Sequence, residues 1–152
     1  MKNLLMTFLA FAMISSAVAQ QINSKNFSYI EGVEFNIKRF NSAKTTEFGN
    51  GDGRTYIAQG ARFKTAWMEF TNSTEQDVEI DFSQFNLIDS NSNRYHPNGV
   101  VQGGKFTNTR ENYKLKLKAG KTKLFLVEFW PPYPKDEPIT RLVVNENIIT
   151  LQ

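Results

Sequence analysis

The chain has 152 residues, 40% of them hydrophobic and 13% aromatic, and a formal charge of +3. That is enough apolar material for one domain with its own core, and too little charge to point to a nucleic-acid-binding protein. There is no Cys and one His, which excludes disulfides, thiolate metal sites, a Cys nucleophile and any cage of several histidines.

The first residues have the form of an export signal. Lys2 supplies a positive start, Leu4 to Ile14 form an apolar run broken only by Thr7, and Ala17-Val18-Ala19 ends in the small-x-small pattern that signal peptidase accepts. The run falls well short of the ~20 residues that a membrane-spanning helix needs. Cleavage is expected after Ala19, leaving a single domain over residues 20–152 with 17 basic and 15 acidic side chains. With no Cys to carry a lipid, no stable membrane anchor is expected, and the product is read as secreted or periplasmic.

Beyond Ala19, short alternating runs rich in Val, Ile, Phe, Tyr and Thr recur between polar turns, and no helical period is sustained. Val33, Phe35 and Ile37 predict a first strand, and Phe40 breaks its parity, the mark of a bulge or a strand end. Gly49-Asn50-Gly51-Asp52-Gly53 predicts a loop before Thr55-Tyr56-Ile57. Phe63 to Thr71 is the clearest strand, with Ala66, Met68 and Phe70 inward and Phe63, Thr65, Trp67 and Glu69 outward. After the polar turn Asn72 to Asp77, a strand is expected through Val78, Ile80 and Phe82, and another at Phe85-Asn86-Leu87-Ile88-Asp89. Ser90 to Asn93 then turn the chain into Arg94-Tyr95-His96, which Pro97 is expected to end.

Residues 98–112 read as a long loop with at most one short strand near Val100. Tyr113, Leu115 and Leu117 alternate with lysines, and Ala119-Gly120-Lys121 is expected to join them in a hairpin to a strand from Lys123 to Trp130, stopped by Pro131-Pro132-Tyr133-Pro134. Leu142, Val144, Ile148 and Leu151 supply a closing strand or strand pair. Such spacing predicts an all-β, two-layer antiparallel sandwich of about seven to nine strands.

A strand ending in Phe70-Thr71-Asn72, a polar turn into Val78 and Ile80, then Phe85-Asn86-Leu87-Ile88-Asp89 and Tyr95 resembles an uncharacterised bacterial family of exported domains. So does Leu117-Lys118-Ala119-Gly120-Lys121-Thr122, leading to Val127-Glu128-Phe129 and a proline. The resemblance covers roughly residues 61 to 131. It implies an immunoglobulin-like sandwich similar to the immunoprotective extracellular antigens of mycobacteria, and it carries no catalytic residues. Many members are lipid-anchored through a Cys that this chain lacks.

Several side-chain groups are of the types that carry chemistry. Asp89, Asn91 and Asn93 stand at the first, third and fifth positions of a calcium loop, but Arg94 replaces its glycine and Val100 its final glutamate, so a hairpin turn is expected and no metal site. Asn50 and Asp52 are too few oxygens for a cation. His96 would have to serve any Ser-His-Asp mechanism, yet no nucleophile elbow accompanies it. Glu69 and Glu128 lie among hydrophobic residues, where burial raises a carboxyl pKa, but their parity places both toward solvent. Lys114, Lys116, Lys118, Lys121 and Lys123 crowd one hairpin; this is an anion-attracting patch or, preferably, protection of a sheet edge.

The feature left over is aromatic. Trp67 lies on the outward side of its strand, and Leu124, Leu126 and Trp130 oppose the parity of Phe125, Val127 and Phe129, so a second cover is required: a loop, Asn26 to Ile30, or another molecule. Trp130-Pro131-Pro132-Tyr133-Pro134 adds rigid contact surface. The expectation is a non-catalytic exported domain without cofactor, binding a protein or cell-surface component through Trp67, Trp130 and Tyr133, with a homodimer left open. The alternatives are a small secreted hydrolase built on carboxylates and His96, and a carbohydrate-binding module.

Overall fold

The computed structural model describes residues 20–21, 25–46, 55–102 and 113–151. The expected export signal, the loop Gly49 to Gly53 and residues 103–112 of the expected long loop lie outside them. In chain order the strands are β1 (Gln20–Gln21), β2 (Phe27–Ile30), β3 (Val33–Ala43), β4 (Thr45–Thr46), β5 (Tyr56–Ile57), β6 (Ala61–Asn72), β7 (Val78–Asp81), β8 (Phe85–Ile88), β9 (Arg94–Gln102), β10 (Lys114–Leu117), β11 (Thr122–Pro134), β12 (Arg141–Val144) and β13 (Asn147–Thr150). Between β7 and β8 a short 3-10 turn runs over Phe82–Gln84, so Phe82 is not part of a strand. No helix among the described residues is long and apolar enough to cross a membrane.

The fold is an immunoglobulin-like antiparallel sandwich. One layer places β1 and β2 on β3, followed by β6, β11 and the end of β9. The other runs from the start of β9 through β8 and β12 to β13. β9 therefore belongs to both: Arg94 and Tyr95 pair with β8, and Pro97 to Gln102 lie opposite β11. Between the layers sits an aromatic cluster centred on Phe70, whose ring lies 5.2 Å from Phe35, 5.6 Å from Phe82, 5.8 Å from Phe125 and 5.9 Å from Phe85. Ala66, Met68 and Phe70 face inward as their spacing requires, and so does Phe40, because the register shifts between Ile37 and Arg39. That shift is the bulge that the broken parity predicted.

The structure corrects further readings and narrows the choice of cover for the outer face. β10 does not form a hairpin with β11 but pairs with β7. The turn at Gly120 instead carries the chain from the two-stranded β7–β10 ribbon into β11 of the larger sheet, fastened by the Asn72 amide, which donates to Gln76 O and Leu117 O. Pro97 does not end β9, since the register slips there and the missing donor falls at the irregularity. Likewise Pro131 and Pro132 are absorbed between Phe129 and Tyr133, and β11 resumes pairing at Tyr133 and Pro134 opposite Arg62 and Ala61. Finally, Asn26 to Ile30 does not cover the outer face; Phe27 and Tyr29 turn inward and pack on Phe35, Phe70 and Phe85.

Candidate functional site

The residues of interest lie on the outer face of the larger sheet. Cross-strand register aligns Val101 of β9, Leu126 of β11, Trp67 of β6 and Arg39 of β3 in one row. Val101, Leu126 and Trp67 are half-buried, and Arg39 is exposed. The Arg39 guanidinium lies over the Trp67 ring at 3.9 Å, a cation–π contact. Among the described residues the buried Trp67 indole N–H has no hydrogen-bond partner, an unusual state for a donor withdrawn from water. Beside this row Glu69 pairs with Lys38 at 2.6 Å.

The next row is Gly99, Glu128, Thr65 and Asn41. Here the expectation for Glu128 is overturned: it points away from the main core, as its parity says, yet is only 5% exposed. The cover is β4, whose Thr46 hydroxyl lies 2.8 Å and 2.7 Å from the two carboxylate oxygens. Burial pushes the Glu128 carboxyl above its ordinary value, partly offset by hydrogen bonds from Thr46 and Asn98. A loop is thus the second cover at this end of the sheet. Phe63, expected outward, is buried beneath it and stacks on Trp130 at 5.5 Å, and Tyr56 of β5 meets the same indole edge-on at 5.7 Å.

The three aromatic residues singled out from the sequence do not come together as one surface. Tyr133 is a core residue, 1% exposed, with its ring 4.7 Å from Tyr95 and its hydroxyl donating to Pro138 O at 3.2 Å. Burial pushes its phenol up to about 12, so it offers neither surface nor acid. It turns inward because it shares the odd parity of Phe125, Val127 and Phe129, which the irregularity at the two prolines leaves unchanged: four residue steps of β11, from Phe129 to Tyr133, lie against two of β6. Trp130 is half-buried and occupied by Phe63 and Tyr56, whereas Trp67 is half-buried with the exposed Arg39 guanidinium over its ring.

The other groups settle into structural roles. Asp89 accepts from the Asn91 and Asn93 backbone N–H groups, the Asn93 side-chain amide and the Tyr95 hydroxyl, at 2.7–3.0 Å. It closes the β8–β9 hairpin rather than opening to an ion. His96 is exposed on β9, opposite Trp130. Lys114 pairs with Glu79 and Asp81, and Lys116 with Asp77, so these two lysines of the ribbon meet carboxylates of β7 instead of forming a free basic patch.

Known structures share this architecture. A conserved hypothetical protein from Bacillus anthracis superposes with a TM-score of 0.58 at 18% identity, over 88% of this chain and 97% of that one. An uncharacterised β-sandwich protein from Clostridium difficile 630 superposes with a TM-score of 0.53 at 14% identity, over 82% of this chain and 87% of the other. At such identity the likeness concerns the fold. No protein-family model matches the chain, and no curated protein matches it.

Proposed function

We propose that the protein is an exported, non-catalytic binding domain that holds a protein partner against the outer face of its larger sheet. The observation that carries this reading is the row Val101, Leu126, Trp67 and Arg39. Three apolar side chains remain half-buried on the side of the sheet away from the core, and a guanidinium rests on the indole. Trp and Arg are the residues on which protein interfaces concentrate their binding energy. Sugar stacking needs an unoccupied indole face, and Arg39 already lies on one, which favours a protein over a glycan.

Export rests on the sequence pattern of Lys2, Leu4 to Ile14 and Ala17-Val18-Ala19, and on the likeness of residues 61–131 to exported immunoglobulin-like domains. The reading also fits the place of Gln20 and Gln21, which follow the expected cleavage position and pair with Phe40 and Arg39. Two measurements test it. The mass of the protein recovered outside the cytoplasm is expected to correspond to a chain starting at Gln20; an uncleaved or cytoplasmic chain defeats the export half. Partners retained from envelope extracts are expected to be lost with Trp67→Ser while the circular-dichroism spectrum is unchanged. An identical set of partners defeats the binding half.

A further inference from the structure

A second locus, at one end of the sandwich and independent of the outer face, involves Lys64. Even-numbered residues of β6 face the core, and Lys64 obeys that rule: it stands in register between Ser42 of β3 and Phe129 of β11 and is only 8% exposed. Its Nζ donates to Ser42 Oγ at 2.8 Å and lies 5.6 Å from the centre of the Tyr133 ring. Arg62, two residues earlier on the same face and opposite Tyr133, donates from Nη1 to Ala61 O at 2.8 Å.

Among the described residues neither cation has a carboxylate partner, whereas Lys38, Lys114 and Lys116 each do. Withdrawing an ammonium from water without a counter-charge is costly, and here a second cation stands beside it. Burial first, and Arg62 second, lower the Lys64 pKa. A counter-anion relieves both effects. The donors present suit an oxyanion: an ammonium, a hydroxyl, and a guanidinium whose planar fork matches paired oxygens and has only one hydrogen committed. Ser42 and Arg62 are partly exposed, which gives such an ion a way in.

We propose that Ser42, Arg62 and Lys64 form a binding site for a small oxyanion, the carboxylate or phosphate group of a ligand.

The test uses the full chain, exchanged into chloride buffer at pH 7, with sodium phosphate or sodium acetate titrated against sodium chloride at equal ionic strength. A saturable rise in thermal midpoint is expected with at least one oxyanion and not with chloride; phosphate alone marks a phosphate site and acetate alone a carboxylate site. Lys64→Met is expected to abolish the rise, and Arg62→Gln to weaken the binding about tenfold, the scale of one lost charge-assisted hydrogen bond. Arg62 is partly exposed, so its variant remains informative if Lys64→Met does not fold. As a readout that a purely structural lysine would not give, the NMR-detected pKa of Lys64 should rise when the oxyanion is bound. No oxyanion-specific rise, or one that persists undiminished in Arg62→Gln, overturns the proposal.

Discussion

Asp89 and Lys64 are both ionisable side chains withdrawn from solvent, and the fold treats them in opposite ways. Asp89 is fully buried and surrounded by four donors drawn from its own hairpin. Lys64 has one hydroxyl and a neighbouring cation. At Asp89 burial alone would raise the carboxyl pKa, but the hydrogen bonds from Asn93, Tyr95 and Asn91 outweigh it and hold the group below its ordinary value. A buried charge whose bonding capacity is met within the chain belongs to the architecture. One that is left wanting invites something from outside.

The sharpest way to break this contrast is Asp89→Ala, which strips four donors of their acceptor inside the protein. It is expected to cost about 3 kcal/mol or more in urea unfolding, and a loss below 1 kcal/mol would mean that the hairpin does not need the carboxylate. The wild-type contribution of Asp89 should be complete above its unfolded pKa near 3.8 and disappear as pH falls through its lower folded value.

Lys64→Met should act in the reverse sense in oxyanion-free buffer. It should stabilise the protein by about 1 kcal/mol, because a stranded charge is replaced by apolar volume of similar length. Destabilisation in calorimetry would show that Ser42 and the Tyr133 ring already satisfy the ammonium.

Glu128 lies between the two extremes, with neutral donors in Thr46 and Asn98 and, among the described residues, no cation bonded to it. Its folded pKa is raised above the unfolded value near 4.5, so its stabilising contribution is complete below that pH and is lost as pH rises through the folded pKa. Glu128→Gln should remove that pH dependence and raise stability at pH 7 by about 0.5–1 kcal/mol; an unchanged profile of thermal midpoint against pH would refute it. The smallest effect is expected at Arg39→Ala, about 0.5 kcal/mol for an exposed cation–π contact, read by chemical denaturation together with a shift in Trp67 fluorescence.

Much of the inner architecture was legible in period two. The alternation Ala66, Met68, Phe70 located the core face of β6, and Phe40 announced the bulge in β3. The same alternation places Lys64 inward, a signal that goes unused when only apolar residues are followed. Lateral pairing was not legible: Leu115 and Leu117 say that β10 has a buried side, but not that Val78 and Ile80 of β7, rather than β11, lie beside it. Prolines misled for a related reason, since Pro97 and Pro131 lack a ladder donor, yet an irregularity in register accommodates them without ending the strand. At the candidate site, Trp67 was found by parity, while Glu128 was misplaced because its lid, Thr46, is 82 residues away in sequence.

The passage of β9 from one sheet to the other makes it the spine of a book. Along that side the two covers share a continuous stretch of main chain, so they cannot slide past one another without tearing the ladders at Tyr95 and Val100. Along the fore-edge the clasps include single side chains: the Tyr29 hydroxyl accepts from the Asp81 N–H at 2.9 Å, and the Asn145 amide donates to Tyr29 O at 3.3 Å. Thermal breathing should therefore swing the pages apart at Tyr29 while the binding at β9 stays shut.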